Sequence, residues 1–414
     1  MLLAGIILWT WTTLCTPIAL FGDTKLKEAD HKSMGKLVGG YYAAMSEEKG
    51  IFEALQKILD QITSLEKRLK GEKLLACVSD WEQIFRVATE DRLQENLKKK
   101  GEVTTQTQQG EIKVSFAYCV PKKPAKGALP LILIACNEGE APATHLEAYW
   151  NDPAIREGAI LMAVDLGKDT SSWGLFGSRT APGGTYVLMT ALGMIQDQFP
   201  VDYNRRFLVG SGKGFAAVEV TTTSYPHIFA GVIGIGDVTA NDFNNFENYS
   251  NLPSLFIKGG EGANAIEAKL KEYGYSNCQL EPEGTGASAF AWMSKNPRAS
   301  YPPTVVFSPR LDNASKVHWL SISGFQSAEK PRIEAKADRA ANTITIDAQK
   351  IAGVIIYLND SLVDLDKPVK FVVNGVVHER KLERNAPEMI KDQFHGGDWG
   401  RVYCASLSQD VSSK

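Results

Sequence analysis

Between about residues 110 and 300 the chain alternates short apolar runs with helical stretches, and this alternation restricts the fold more than any other feature. The runs PLILIACNE (130–138), AILMAVDLG (159–167), RFLVG (206–210), FAGVIGIGD (229–237) and PSLFIKGG (253–260) are close to continuously apolar. A strand exposed on one face would alternate with polar residues, so these strands are expected to be buried on both faces. Helical patterns lie between them, at Tyr186 to Gln198, from Phe215, and from Ala263 to Tyr273. Repeated strand–helix units of this kind predict an α/β class fold, a mostly parallel sheet covered by helices on each side.

The flanking segments read differently. Ile51, Phe52, Leu55, Ile58, Leu59, Ile62, Leu65 and Leu69 recur at helical spacing and form one apolar stripe. Ser79 and Glu82 have the spacing of a capping box opening a second helix. Lys98, Lys99 and Lys100 before Gly101 suit the end of that helix, where positive charge meets the negative pole of the dipole. Beyond residue 315 the runs ANTITIDA, AGVIIYLND, PVKFVV, VVHERKL and RVYCASL read as short strands, with Asn374-Gly375 as a two-residue hairpin turn. A chain of 414 residues accommodates such a division. The expected segments are a leader at 1–22, a helical segment at 23–105, the α/β domain at 106–300 and an all-β sandwich at 315–414.

Residues 1–22 carry no charged side chain. They read as a cleaved secretory signal, or alternatively as an uncleaved N-terminal anchor, and either implies export to the periplasm, cell envelope or exterior. A net charge of −3, with no aromatic residues interleaved among basic runs, leaves nucleic acid without support as a partner. The only membrane contact foreseen is that N-terminal segment. Of the six cysteines, Cys15 falls in the leader; Cys77, Cys119, Cys136, Cys278 and Cys404 are scattered with no C-x-x-C pair, which fits packed free thiols rather than a disulfide framework or zinc site.

In an open α/β sheet the functional loops follow the C-terminal ends of the strands. The loop after RFLVG is Gly210-Ser211-Gly212-Lys213-Gly214, leading into a helix at Phe215. With Asp202, Arg206, Tyr225, Pro226, Phe229 and Gly231 around it, this region resembles the nucleophile elbow of the α/β-hydrolase superfamily. The resemblance is to the secreted esterase and polyhydroxyalkanoate-depolymerase-like branch and to the catalytic domain of prolyl oligopeptidases, and it spans about residues 110–300. It implies an α/β-hydrolase fold with a serine at the elbow, an acid after the next-but-one strand and a histidine after the last strand.

This sequence departs from the pattern at all three positions. Aligning the framing glycines places Gly212 at the nucleophile, the run Lys258-Gly259-Gly260-Glu261-Gly262 places Gly262 at the acid, and the turn after the last strand places Ala287 at the base. None of these side chains can carry out the role. A shifted arrangement would use Ser211 as nucleophile with Asp237 or Glu261 as acid, but a serine hydroxyl needs a base within hydrogen-bond reach. Beyond the last sheet strand only His318, His378 and His395 remain, all in or at the edge of the β domain. Lys213, on an adjoining turn position, should point away from Ser211.

Other motifs have plain readings. GSGKG fails the phosphate-loop pattern, since Phe207 and Gly214 stand where Gly and Ser/Thr are required. Cys136 reads as a packed strand residue, His395-Gly396-Gly397-Asp398 as a turn rather than a metal fragment, and His227 as a variable position. No cofactor and no metal is expected. The expected function is therefore that of an exported, non-catalytic relative of the hydrolases. Asn137, Ser211, Lys213 and Asp237 would line a cleft left roomier by the glycine elbow, for a small molecule, an envelope polymer or a protein. The alternatives are an active carboxylesterase- or peptidase-type hydrolase using Ser211, and a structural envelope protein acting through its added domains.

Overall fold

A computed structural model describes residues 24–90, 93, 100–107, 110–122, 127–178, 180–238, 245–309, 315–327 and 329–411, with the backbone alone described for 100–107 and 110–112. The expected leader and Lys98 and Lys99 lie outside these residues. The first described elements are helices α1 (Glu28–Glu47), α2 (Ile51–Arg68) and α3 (Val78–Glu90). Ile58, Ile62 and Leu65 of the anticipated stripe are buried, whereas Phe52 is 74% exposed and lies off it. The foreseen capping box does not form: Ser79 is inside α3, and Glu82 is buried and accepts a 2.9 Å hydrogen bond from the Tyr301 hydroxyl. Asp80 instead secures the segment leading into α1. It accepts the N–H groups of Lys25 and Leu26 and lies 2.7 Å from His31 Nε2.

The central sheet and its helices follow as β1 (Lys100–Thr107), β2 (Gly110–Cys119), β3 (Leu129–Ala135), α4 (Pro142–Tyr149), α5 (Pro153–Gly158), β4 (Ile160–Val164), α6 (Gly184–Gln196), β5 (Val201–Ser211), α7 (Phe215–Ser224), β6 (Gly231–Ile235), β7 (Ser254–Ile257), α8 (Gly260–Glu272), β8 (Cys278–Glu281) and α9 (Gly286–Lys295). Lys100 therefore opens a strand rather than closing a helix. The eight strands are ordered β1-β2-β4-β3-β5-β6-β7-β8. Only β2 runs antiparallel to its neighbours, and β4 through β8 run parallel with β3.

The apolar runs are buried on both faces because successive side chains serve two cores. Leu131, Leu133 and Ala135 of β3 face a core that includes Val187, Leu188 and Val218 of α6 and α7. Ile132 and Ile134 face a second core with Leu146, Ile155, Ala289 and Trp292 from α4, α5 and α9. At roughly 25 cal/mol per Å² of apolar area removed from water, this two-sided burial is the main force holding the sheet layers together.

The C-terminal region contains β9 (Thr304–Phe307), β10 (Lys316–Val317), β11 (Leu320–Phe325), β12 (Arg332–Asp338), β13 (Thr343–Gln349), β14 (Ile351–Leu358), β15 (Val369–Val373), β16 (Val376–Arg380), α10 (Ala386–Gly396) and β17 (Ala405–Asp410). Two sheets, ordered β16-β15-β13-β12-β9 and β10-β11-β14-β17, contribute Ile333, Ile344 and Ile346 and Ile322, Val354 and Ile356 to one core. Asn374-Gly375 forms the turn between β15 and β16, where Val373 pairs with Val376. Two expectations are corrected here. The first strand of these sheets starts at Thr304, ahead of residue 315, and the region is not all-β. The helix α10 has an Asn385 cap on the Glu388 N–H and a proline in its first turn, both local signals that outweigh the surrounding β-rich composition.

Candidate functional site at the strand ends

Strand β5 ends at Ser211, a single tight turn covers Gly212–Gly214, and α7 starts at Phe215. A Cβ on Gly210 would sit 2.5 Å from Phe215 Cα, and one on Gly214 would sit 2.4 Å from the Cys136 carbonyl oxygen. Strand and helix thus approach too closely for any side chain at the two framing positions. Gly212 between them has φ +49°, the left-handed conformation in which an elbow holds its nucleophile. The chain has the α/β-hydrolase fold. That assignment stands on the strand order, the single antiparallel strand β2 and this strand–turn–helix geometry.

Solved structures similar to part of the chain include a thermostable esterase, with 16% identity and a TM-score of 0.39 over 48% of this chain and 64% of that one. An S-formylglutathione hydrolase from Agrobacterium tumefaciens matches at 14% identity and a TM-score of 0.35, over 49% of this chain and 98% of the other. A ferulic acid esterase matches at 12% identity and a TM-score of 0.37, over 48% and 96%. No protein-family model matches the chain, and no curated protein matches it.

The three aligned positions lie after β5, β7 and β8 and carry no functional side chain. Gly212 is at the elbow tip, Gly262 in the first turn of α8 after β7, and Ala287 in the first turn of α9 after β8. The space at the elbow is nevertheless not left open, which corrects the expectation of a roomier cleft. A Cβ on Gly212 would come within 2.6 Å of Asn137 Oδ1 and 2.9 Å of its Nδ2. The Asn137 amide therefore stands where a nucleophile would project. Its Oδ1 accepts the Lys213 backbone N–H at 3.0 Å. In a working elbow the N–H of the residue after the nucleophile helps stabilise the oxyanion. Here that donor is already taken.

The loop after β3 closes the arrangement. The Asn137 N–H donates to Glu140 Oε2 at 3.2 Å, and Lys213 Nζ reaches Glu138 Oε2 at 2.6 Å across the surface. Ser211 is buried, 5% exposed, and its side chain lies beside the Glu140 carboxylate. Burial alone would raise the Glu140 carboxyl, but His145, the Asn137 N–H and the Ser211 hydroxyl together hold it below its ordinary value. A carboxylate so stabilised is a weak base toward a serine. Asp237 is exposed beside Gly260, whose Cβ would lie 2.5 Å from Asp237 Oδ1, and Glu261 is exposed in the first turn of α8. The structure therefore brings Asn137 together with Lys213 and Ser211 together with Glu140, with Asp237 standing at the neighbouring strand end.

His145 on α4 was not foreseen. It is fully buried, with Nδ1 2.9 Å from Glu140 Oε2 and Nε2 accepting the Trp150 indole N–H at 3.3 Å. Its ring stacks on Tyr149 at 4.8 Å. Glu140 and His145 are five residues apart, which is not a helical pairing, so nothing in the sequence links them. Only the loop from β3 into α4 folds them onto each other beside β5.

Cys136, Glu140 and His145 place one potential metal-ligand atom each within 4.8 Å of one another. The donor set fails a chemical test. A neutral imidazole binding metal through Nδ1 must carry its proton on Nε2, and that proton would point at the Trp150 N–H. Burial also pushes the Cys136 thiol far above its ordinary range, against the thiolate a metal requires. The trio reads instead as a packed cluster with the proton on His145 Nδ1. The other described thiols, Cys77, Cys119, Cys278 and Cys404, are likewise free.

Proposed function

We propose that this chain is an exported, non-catalytic member of the α/β-hydrolase fold that serves by binding or scaffolding. The observation carrying this reading is the hydrogen bond from the Lys213 N–H to Asn137 Oδ1, at an elbow whose tip is Gly212. Nucleophile and oxyanion donor are absent or occupied together, so neither the attack nor its charge stabilisation has a place to occur. The loop carrying Asn137 and Glu138, together with Lys213 on the elbow turn, gives the strand ends a polar, mixed-charge surface suited to a small polar molecule, an envelope polymer or a protein. Export rests on the apolar residues 1–22, acting as a cleaved leader or as an anchor. No described helix is long and apolar enough to cross a membrane.

The test is treatment of the folded protein with a fluorophosphonate serine probe, alongside Ser211→Ala and heat-denatured samples. We expect no activity-dependent labelling. Labelling that disappears in Ser211→Ala would establish the second reading, a hydrolase with a shifted nucleophile, which the contact between Ser211 and the Glu140–His145 pair favours. If neither labelling nor ligand binding at the elbow is found, the third reading, an envelope protein acting through its added domains, takes precedence.

Restoring the serine alone should not restore chemistry. Gly212→Ser places a side chain at φ +49° against the Asn137 amide, and we expect a stability loss of about 1–2 kcal/mol without labelling. Urea unfolding and the same probe read both outcomes. Robust labelling of Gly212→Ser would mean that the acid and base are supplied from elsewhere in the site.

A further inference from the structure

The junction between the α/β domain and the C-terminal sheets holds more positive than negative charge. Arg206 and Arg298 from the α/β domain and Arg401 from the C-terminal region all converge on one carboxylate, Asp398. All three guanidiniums are buried, with side-chain exposures of 5%, 1% and 8%. Glu82 lies near Arg298, but burial raises its carboxyl to about 8, so near neutrality it contributes little compensating charge. Asp202 is engaged by Arg205 at 2.6 Å. Buried charge left uncompensated is expensive, and it is met either by shifted protonation or by a bound counter-ion. Arginine does not deprotonate in this range, which leaves the counter-ion.

A small cavity adjoins this cluster. It has a volume of about 40 Å³ and is lined by Arg401, Asp398, Lys316, Asp392 and Tyr403 among others. Lys316 extends its ammonium over the Tyr357 ring, 4.8 Å from the centroid. The Tyr403 hydroxyl is buried and has no hydrogen-bond partner among the described residues. Buried hydroxyl groups are nearly always satisfied, so an unpaired O–H on a cavity wall points to an occupant. A water needs about 10–15 Å³ of such space, so this cavity suits a monatomic ion or a few waters and is too small for an organic anion. Of the two carboxylates on its wall, Asp398 is already saturated by three guanidiniums and Asp392 faces Lys316.

We propose that this cavity binds a single monatomic, monovalent anion, chloride being the abundant candidate, which accepts the Tyr403 O–H and rests against Arg401 and Lys316. The anion offsets the arginine excess from a cavity whose lining comes entirely from the C-terminal region. This site is independent of the elbow and of any activity there.

Thermal unfolding of the full chain tests it at fixed ionic strength, with sodium chloride replaced stepwise by sodium gluconate, whose anion cannot enter. Binding to the folded state alone predicts a midpoint that rises with chloride and, once the site is filled, climbs with the logarithm of its concentration. Tyr403→Phe removes one charge-assisted hydrogen bond and should weaken the apparent chloride affinity by about 10-fold or more. Crystals soaked in bromide should show an anomalous peak between Arg401, Lys316 and Tyr403. A midpoint indifferent to chloride, with no bromide peak, overturns the proposal in favour of a water-filled cavity. A bromide peak without any chloride effect on the midpoint identifies an adventitious ion only and overturns it equally. Should Tyr403→Phe fail to fold, the wild-type chloride titration and the bromide map still decide.

Discussion

Replacing Asp398 with asparagine is expected to cost about 3–5 kcal/mol of stability, among the largest single-residue effects in this protein. Asp398 accepts from Arg298 Nη1 at 2.6 Å and Nη2 at 2.8 Å, from Arg401 Nε at 2.9 Å and from Arg206 Nη2 at 3.2 Å. An asparagine keeps much of the shape but removes the charge that balances three buried guanidiniums. Burial by itself would raise the Asp398 carboxyl, yet the arginines outweigh it and hold the carboxyl well below its ordinary value. A carboxyl lowered in the folded state contributes stability above its unfolded value, and that contribution is lost as pH falls through the acid range. Urea unfolding at neutral pH measures the effect. A loss below about 1 kcal/mol would show that the arginines are neutralised by something other than Asp398.

The second large effect has the opposite pH dependence. Glu82 on α3 is buried, accepts the Tyr301 O–H at 2.9 Å, and has its carboxyl raised by burial to about 8, against which Tyr301 and Arg298 act only in part. The Tyr301 oxygen in turn accepts the Val402 N–H at 2.8 Å, so the pair links α3 to the C-terminal region. Between the unfolded value and about 8, the folded protein keeps a proton that the unfolded chain has released. Stability therefore declines as pH rises through that window. Glu82→Gln keeps the carbonyl acceptor and the size while removing the charge. We expect the variant to match the wild type near pH 5 and to exceed it by a few kcal/mol near pH 8.5, the gap widening by at most about 1.4 kcal/mol for each step of one in pH. Parallel unfolding curves across pH read this out. A constant difference at every pH would show that Glu82 is ionised throughout.

These two predictions concern the junction because that is where the structure concentrates its buried charge. The elbow holds few ionised groups out of water. Its Lys213–Glu138 pair is exposed on both sides and contributes little, as surface pairs do. Its significance is geometric: an amide occupies the place of a nucleophile, and a backbone donor is capped by that amide. This geometry is what the proposed non-catalytic function rests on.

The sheet and the elbow were legible in the amino-acid sequence because both depend on local composition. Runs such as LPLILIA are apolar at every position, which only a strand buried on both faces can satisfy, and Gly210, Gly212 and Gly214 are the residues a tight strand-to-helix turn admits. The helix at Ala386–Gly396 was equally legible in its asparagine cap and proline, but the β-rich neighbourhood obscured it. What fills the elbow and what joins the domains were settled by long-range packing instead. Asn137 and Lys213 stand 76 positions apart, and they meet only because β3 lies beside β5. His395-Gly396-Gly397-Asp398 reads as a turn, but the structure makes His395 and Gly396 the last residues of α10, with Gly397 closing the helix in the left-handed conformation. That the next residue, Asp398, neutralises arginines about 100 and 190 positions earlier depends on domain packing, which carries no local signature.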